Sequence, residues 1–252
     1  MSTAPLPSAP EVLEPTRKQV ELLIAEAPAR PQLLGAAQDV LAPDESAAVR
    51  RFRHPAQASS YATGRILRRV ALSPLVGVAP EELVFDSWCP RCGTAHGKPR
   101  LLPPHGDIDF SVSRAGAVVA LAIGRVHVGL DVASSSGVPD AGVVRLAFAP
   151  DERREYAALP EEEQSRAFFA CWTRKEAVLK GIGHGLAVDP SSVSVTLLEL
   201  SPPRVRRLPT EFGPAHAWSL VPVVGEGWVG AVAAEGPVDV RAWDARALFE
   251  RA

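Results

Sequence analysis

Lysine is scarce in this 252-residue chain. Only Lys18, Lys98, Lys175 and Lys180 occur, against 23 arginines among 27 basic residues. Cysteine is as sparse: Cys89, Cys92 and Cys171 make an odd, low count that argues against a disulfide framework. The opening stretch MSTAPLPSAPEVLEP lacks the basic start and apolar core of a secretory signal. The longest apolar run, AGAVVALAIG at 115–124, is about half a membrane span. A net charge of −2 leaves no broad basic field for nucleic acid and no polyacidic tail, so any anion site must be local. These absences predict a soluble, cytoplasmic protein with neither nucleic acid nor membrane as partner.

What is present suits a globular chain. Hydrophobic residues make up 46% and charged residues 22%, enough for one domain of ordinary size or two small ones. Residues 1–17, rich in Pro, Ala and Ser, read as a disordered segment. Helices are predicted over 17–28, 41–52, 59–77 (ended by Pro74), 143–159 (broken at Pro150) and 161–183. Strands are predicted over 83–88, 108–116, 117–124, 127–134, 192–200, 216–224 and 227–235. Elements of similar kind run through both halves, although no sequence repeat is evident.

The most telling stretch is WTRKEAVLKGIGHGL at 172–186, which holds two of the four lysines. On a helix, Trp172, Glu176 and Lys180 fall at i, i+4 and i+8 and share a face. A Glu–Lys pair of this kind is ordinarily a solvated surface feature. Here the flank FFACW carries the stripe into partly buried surroundings, where charges need partners. A carboxylate there can ligate a hard cation, and an ammonium can hold a phosphate oxygen.

A second element, VGLDVAS, puts Gly129, Asp131 and Ala133 on one face of a strand. Asp131 is either a solvent-facing strand acid or half of a divalent-cation site with Glu176 as the other half. A third, CPRCGTAHGKPRL, offers Cys89, Cys92 and His96 as zinc ligands but no well-spaced fourth. Its HGKP segment supplies Gly97 for close approach of a ligand to the backbone, Lys98 as a cation and Pro99 to fix the turn. Arginines 50, 51, 53, 65, 68 and 69 form either a solvated basic surface or a phosphate clamp.

In this order the elements resemble the 4′-phosphopantetheinyl transferases of the broad-specificity, surfactin-synthetase-activating type. That family carries Gly-x-Asp-x-Glu, here GLDVA, and Trp-x-x-Lys-Glu-(Ser/Ala)-x-x-Lys, here WTRKEAVLK followed by GHGL. It also carries a GKP segment and a strand of the form (F)(N/S)xSH, here FSVSR. The likeness spans roughly residues 45–190, and two motifs at the right separation are far more specific than either alone.

The resemblance implies an α/β (α+β) fold of two similar subdomains in pseudo-twofold duplication, with antiparallel-rich sheets and packed helices. An N-terminal subdomain over 18–126 would take the adenosine and 3′-phosphate side of coenzyme A. A C-terminal subdomain over 127–252 would carry the metal and the catalytic helix, with the active site in the cleft between them. Asp131 and Glu176 would hold Mg²⁺, Glu176 would take a serine proton, and Lys180 would contact the diphosphate. Arg51, Arg53, Arg65, Lys98, Pro99, Ser113, Arg114 and Lys175 would complete the coenzyme site. The partner would be an apo acyl or peptidyl carrier protein of polyketide, peptide or fatty-acid synthesis, and the enzyme a monomer. Two positions depart from the pattern: Ala133 stands where the family has a second acid, and Arg114 where it has histidine. They leave open an alternative, a relative that binds coenzyme A or carrier protein with weak or altered transfer.

Overall fold

The computed structural model describes residues 5–88, 93–94, 97–197 and 202–250, so the candidate zinc ligands Cys89, Cys92 and His96 lie outside the described residues. The chain forms two compact units. Unit 1 takes Met1–Asp86, Pro99–Arg125 and Val240–Ala252; unit 2 takes Ser87–Lys98 and Val126–Asp239. Against the contiguous subdomains expected, 87–98 goes with the later unit and 240–252 with the earlier one.

In chain order, unit 1 begins with β1 (Gln19–Glu26), α1 (Pro43–Arg51) and α2 (Pro55–Val76). It continues through β2 (Phe85–Asp86), β3 (Arg100–Leu101), β4 (Asp109–Ala115) and β5 (Val118–Gly124). Unit 2 runs through β6 (Val128–Ser134), α3 (Ala141–Ala147), α4 (Pro150–Ala157) and α5 (Glu161–Ile182). It ends with β7 (Ser194–Val195), β8 (Val205–Arg207), β9 (Trp218–Gly225) and β10 (Trp228–Glu235). Finally β11 (Asp239–Asp244) and α6 (Arg246–Phe249) complete unit 1. The sheet orders are β11-β1-β5-β4 in unit 1 and β6-β10-β9 in unit 2.

The two units repeat one plan. An opening strand is followed by a short helix, a 22-residue helix, a two-stranded ribbon and an antiparallel hairpin. In each, the opening strand pairs antiparallel with the second strand of the hairpin: β1 with β5, and β6 with β10. Each long helix stops at a glycine in the left-handed region, Gly77 (φ 67°) and Gly183 (φ 91°), where a Cβ would be strained. The sequence does contain a trace of this duplication: Ala-Pro-Asp-Glu occurs at 42–45 and again at 149–152, 107 positions on.

That tetrapeptide starts α1 and α4. Proline sits at the first helical position, where its missing N–H costs nothing, and the glutamate turns back to accept the backbone N–H that precedes it. Ala42 N–H donates to Glu45 Oε2 at 3.1 Å, and Ala149 N–H to Glu152 Oε2 at 2.7 Å. Both glutamates are buried, and each is met by a basic residue 23 positions later on the long helix. Glu45 accepts from Arg68 Nη2 at 2.5 Å and from Arg69 Nε at 2.7 Å. Glu152 pairs with the Lys175 ammonium and also accepts the Val195 N–H at 2.7 Å. Burial pushes the Glu152 carboxyl up, and the Lys175 ammonium pulls it back. Each pair therefore clasps a short helix to the long one through a desolvated charge contact.

Several expected elements differ. Residues 17–28 form not a helix but the interior strand β1. Paired on both edges by β11 and β5 and buried on both faces through its middle, it loses strict alternation and carries the apolar run Leu22–Ala25, which a helix can also produce. α2 does not stop at Pro74 but continues to Val76, since a proline in the last turn removes a single ladder bond. Residues 5–17 are not a loose tail: Ala9 and Leu13 are buried, and Ala9 N–H donates to the Asp244 carbonyl at 2.8 Å. Two apolar anchors spaced among prolines suffice to seat it. Among the described residues, no helix is long and apolar enough to cross a membrane.

The clasp of unit 2 predicts a specific stability pattern. Lys175→Met leaves Glu152 buried without its cation and should cost about 3–5 kcal/mol. Adding Glu152→Gln should restore a good part of that loss, as read from urea-denaturation midpoints.

Candidate active site

The site grows from one unusually close packing contact. A Cβ on Gly129 of β6 would lie 1.8 Å from the Ala177 carbonyl oxygen and 2.3 Å from the Gly181 nitrogen of α5. A Cβ on Gly181 would in turn lie 2.5 Å from the Trp218 ring. Glycine at both positions lets strand and helix meet backbone to backbone. Glu176 and Lys180 each precede a contact residue by one position, so they are turned about 100° around the helix from Ala177 and Gly181. Asp131 follows Gly129 by two and lies on the same face of β6. The contact thus brings Asp131, Glu176 and Lys180 together.

Lys180 Nζ donates to Asp131 Oδ1 at 2.5 Å. Glu176 is 7% exposed, and its Oε1 is buried with no hydrogen-bond partner. Burial, then the charge of Asp131, raises its carboxyl to about 7, with Lys180 opposing. A buried carboxylate oxygen beside a second carboxylate is a poor arrangement for the protein alone and a good one for a cation. Among the described residues, no group of three or more His, Cys, Asp or Glu side chains surrounds a possible metal position. A pair of acids nevertheless fits Mg²⁺, which takes one or two protein carboxylates and fills its shell with water and phosphate. Ala133, half buried on β6, offers no third ligand.

Other expected site residues fall elsewhere. Lys175 is completely buried, paired with Glu152 and donating to the carbonyls of Ala147 (2.7 Å) and Pro190 (3.0 Å). It holds α5 in place and has no access to a coenzyme. Gly97 is needed for an approach within the chain: its Cβ would lie 2.7 Å from the Trp88 carbonyl oxygen. Lys98 Nζ donates to the Val128 carbonyl at the start of β6 (2.7 Å), and Pro99 follows as the chain enters unit 1.

Within unit 1, Arg68 and Arg69 are committed to Glu45, with Arg69 Nη1 also donating to the Pro80 and Leu83 carbonyls. Arg65 and Arg114 gather on Tyr61, their guanidinium carbons 4.8 and 5.4 Å from the ring centroid. Ser113 is buried on β4, and Arg51 and Arg53 are exposed. Sequence reasoning missed Glu152 and the packing role of Gly129. The repeated Ala-Pro-Asp-Glu was the available signal for the first.

The family model ACPS, described as the 4′-phosphopantetheinyl transferase superfamily, matches residues 127–233. That segment holds β6, α5 and all three residues of the acid–ammonium cluster. Over that segment the chain is similar to the 4′-phosphopantetheinyl transferase superfamily. It is 28% identical over 201 residues to the 4′-phosphopantetheinyl transferase HetI of Nostoc sp. (strain PCC 7120 / SAG 25.82 / UTEX 2576), covering 78% of this chain and 79% of that one. It is 28% identical over 158 residues to psf-1 of Bacillus pumilus, covering 62% and 64%. Against Sfp of Bacillus subtilis (strain 168) it is 26% identical over 157 residues, covering 62% and 66%. The matches to the two Bacillus proteins therefore span somewhat less than two thirds of their lengths. In the matched segment, the strongest sequence signal and the closest strand–helix contact coincide.

The raised Glu176 carboxyl has a consequence for stability. Between its ordinary value of 4.5 and about 7, the folded chain keeps a proton that the unfolded chain has released. Through this group, stability falls as pH rises across that window and stays lowered above it. In chelator-treated protein, Glu176→Gln should remove that loss, so the variant gains thermal stability relative to the natural chain at pH 8 but not at pH 4.5.

Proposed function

We propose that the chain transfers the 4′-phosphopantetheine arm of coenzyme A to a serine of an acyl or peptidyl carrier protein and releases adenosine 3′,5′-bisphosphate. The observation that carries this reading is the buried Asp131–Glu176 pair, with its unpartnered Glu176 oxygen, beside the Lys180 ammonium. Asp131 and Glu176 are the residues to hold Mg²⁺. Bound there, the ion neutralises charge on the diphosphate.

The reaction needs the serine oxygen to attack the β-phosphorus while the bond to the bridging oxygen breaks. Glu176 accepts the serine proton, directly or through an oriented water. Lys180 offers a mobile positive charge to the diphosphate, and the leaving bisphosphate carries off the bridging oxygen. Arg65 and Arg114, drawn together on Tyr61, form a cationic pair suited to the 3′-phosphate, with Ser113 adjacent and Arg51 and Arg53 as further candidates. Arg114 in place of the family histidine keeps a phosphate-binding charge without a titrating group near neutral pH. Lys98 and Pro99 are read as lining the adenosine end. The likeness to Sfp and psf-1 supports a transferase of the type that the sequence motifs resemble.

A carrier needs somewhere to dock, and carrier proteins are usually acidic helical domains. Val138, Val143 and Leu146 are 86%, 46% and 74% exposed, three large apolar side chains on or just before α3, with Arg145 exposed among them. An apolar face bearing a cation suits an acidic partner. Leu146→Glu should raise KM for the carrier at least about tenfold and leave KM for coenzyme A unchanged.

The direct test is to incubate the protein with coenzyme A, Mg²⁺ and several apo carrier proteins and weigh the carriers. A phosphopantetheine mass gain is expected, reduced at least about a hundredfold in rate by Glu176→Gln. No gain on any carrier, with coenzyme A still bound, would mean the fold serves binding without transfer.

A further inference from the structure

We propose that unit 1 carries a second binding site, a pocket for a small carboxylate with an apolar body, of the medium-chain fatty-acid class. The pocket lies between the 3₁₀ segment Pro31–Val40, α1 and the start of α2, and has a volume of about 570 Å³. That size is ordinary for a small-molecule site. None of its lining residues belongs to the acid–ammonium cluster.

The lining divides by chemistry. Leu41 is buried and Val49 and Phe52 are half-buried, which makes one wall apolar. Arg30 and Arg50 are both exposed, and Ser46 adds a hydroxyl. Among the described residues, the lining holds no acid, and neither arginine has a hydrogen bond, ion pair or ring contact. The arginines of α2 differ in this: Arg68 and Arg69 are held by Glu45, and Arg65 by Tyr61. Two uncommitted guanidinium groups beside an apolar wall suit a ligand that is anionic at one end only.

The internal duplication shows that this opening is particular to unit 1. On the register set by Glu45 and Glu152, Leu41 corresponds to Phe148 and Val49 to Tyr156, 107 positions on. Both of those rings are buried, and they meet edge to face with centroids 5.3 Å apart. Unit 2 therefore packs two aromatic rings where unit 1 has two smaller side chains. Arg50 corresponds to Ala157, so the cation too is confined to unit 1. The shared plan closes without either the space or the charge, and close packing is the default of a protein interior.

The test titrates octanoate calorimetrically into the full chain, with octanol and inorganic phosphate in parallel. Octanoate should bind at one site. Octanol and phosphate should each bind at least about tenfold more weakly, because neither supplies both the charge and the apolar body. Val49→Tyr, which installs the residue of unit 2, should abolish octanoate binding, and Arg50→Ala should weaken it at least about tenfold. If Val49→Tyr does not fold, Arg50→Ala, at an exposed position, decides the matter. Phe52 packs on Tyr61 with ring centroids 5.2 Å apart, and Tyr61 gathers Arg65 and Arg114, so coenzyme A is the necessary competitor. Octanoate should still bind in its presence. Absent octanoate binding, equal binding of octanol or phosphate, binding unchanged in the folded variants, or displacement by coenzyme A overturns the pocket and leaves the transferase reading untouched.

Discussion

The approach of β6 to α5 governs everything that unit 2 can do. Backbone meets backbone at Gly129, Ala177 and Gly181, and no side chain larger than hydrogen fits at either glycine without displacing a main chain or the Trp218 ring. That distance sets which helical residues face the strand and which flank it. At that separation the Lys180 ammonium meets Asp131 Oδ1 at 2.5 Å. The acid–ammonium cluster is therefore a consequence of packing before it is a piece of chemistry.

The glutamate clasps fix what the packing alone leaves loose, namely the seating of each long helix against its neighbours. Their comparison shows how one plan has diverged. In unit 1 two successive arginines, Arg68 and Arg69, are both committed to Glu45. In unit 2 the equivalent positions are Lys175, committed to Glu152, and Glu176, which carries the opposite charge. A single cation is enough to hold Glu152, because the backbone N–H groups of Ala149 and Val195 share the work. The next position is thereby left for an acid. Lysine suits Glu152 since the enclosed space has carbonyl acceptors from Ala147 and Pro190 for a compact ammonium.

The parts of the site written in short, contiguous motifs were legible: Asp131 in GLDVA, Glu176 and Lys180 in WTRKEAVLK. Helical spacing is a local rule, and Glu176 and Lys180 obey it. The role of Lys175 was not legible, because it depends on Glu152, a residue in another helix. Nothing at 172–186 says which of two neighbouring charged residues turns inward to a structural partner. The strands of hairpins, β4 with β5 and β9 with β10, show in their alternation and turns. β1 does not, since an interior strand loses its polar face, and β11 leaves little local trace. The buried prolyl tail at 5–17 looks disordered by composition, yet it needs only Ala9, Leu13 and a few main-chain bonds to settle.

β11 carries a consequence for the order of assembly. It edges the sheet of unit 1, beside β1, although all of unit 2 is translated between them. Trp243 on β11 donates its indole N–H to Glu21 on β1 at 2.6 Å, a contact spanning 222 residues. During synthesis, β1 must wait with one edge unpaired and Glu21 without this donor while more than a hundred further residues leave the ribosome. Non-local pairings of this kind form late, and an open strand edge is the feature that invites mispairing in the interval. The earlier unit of the chain is thus the one finished last.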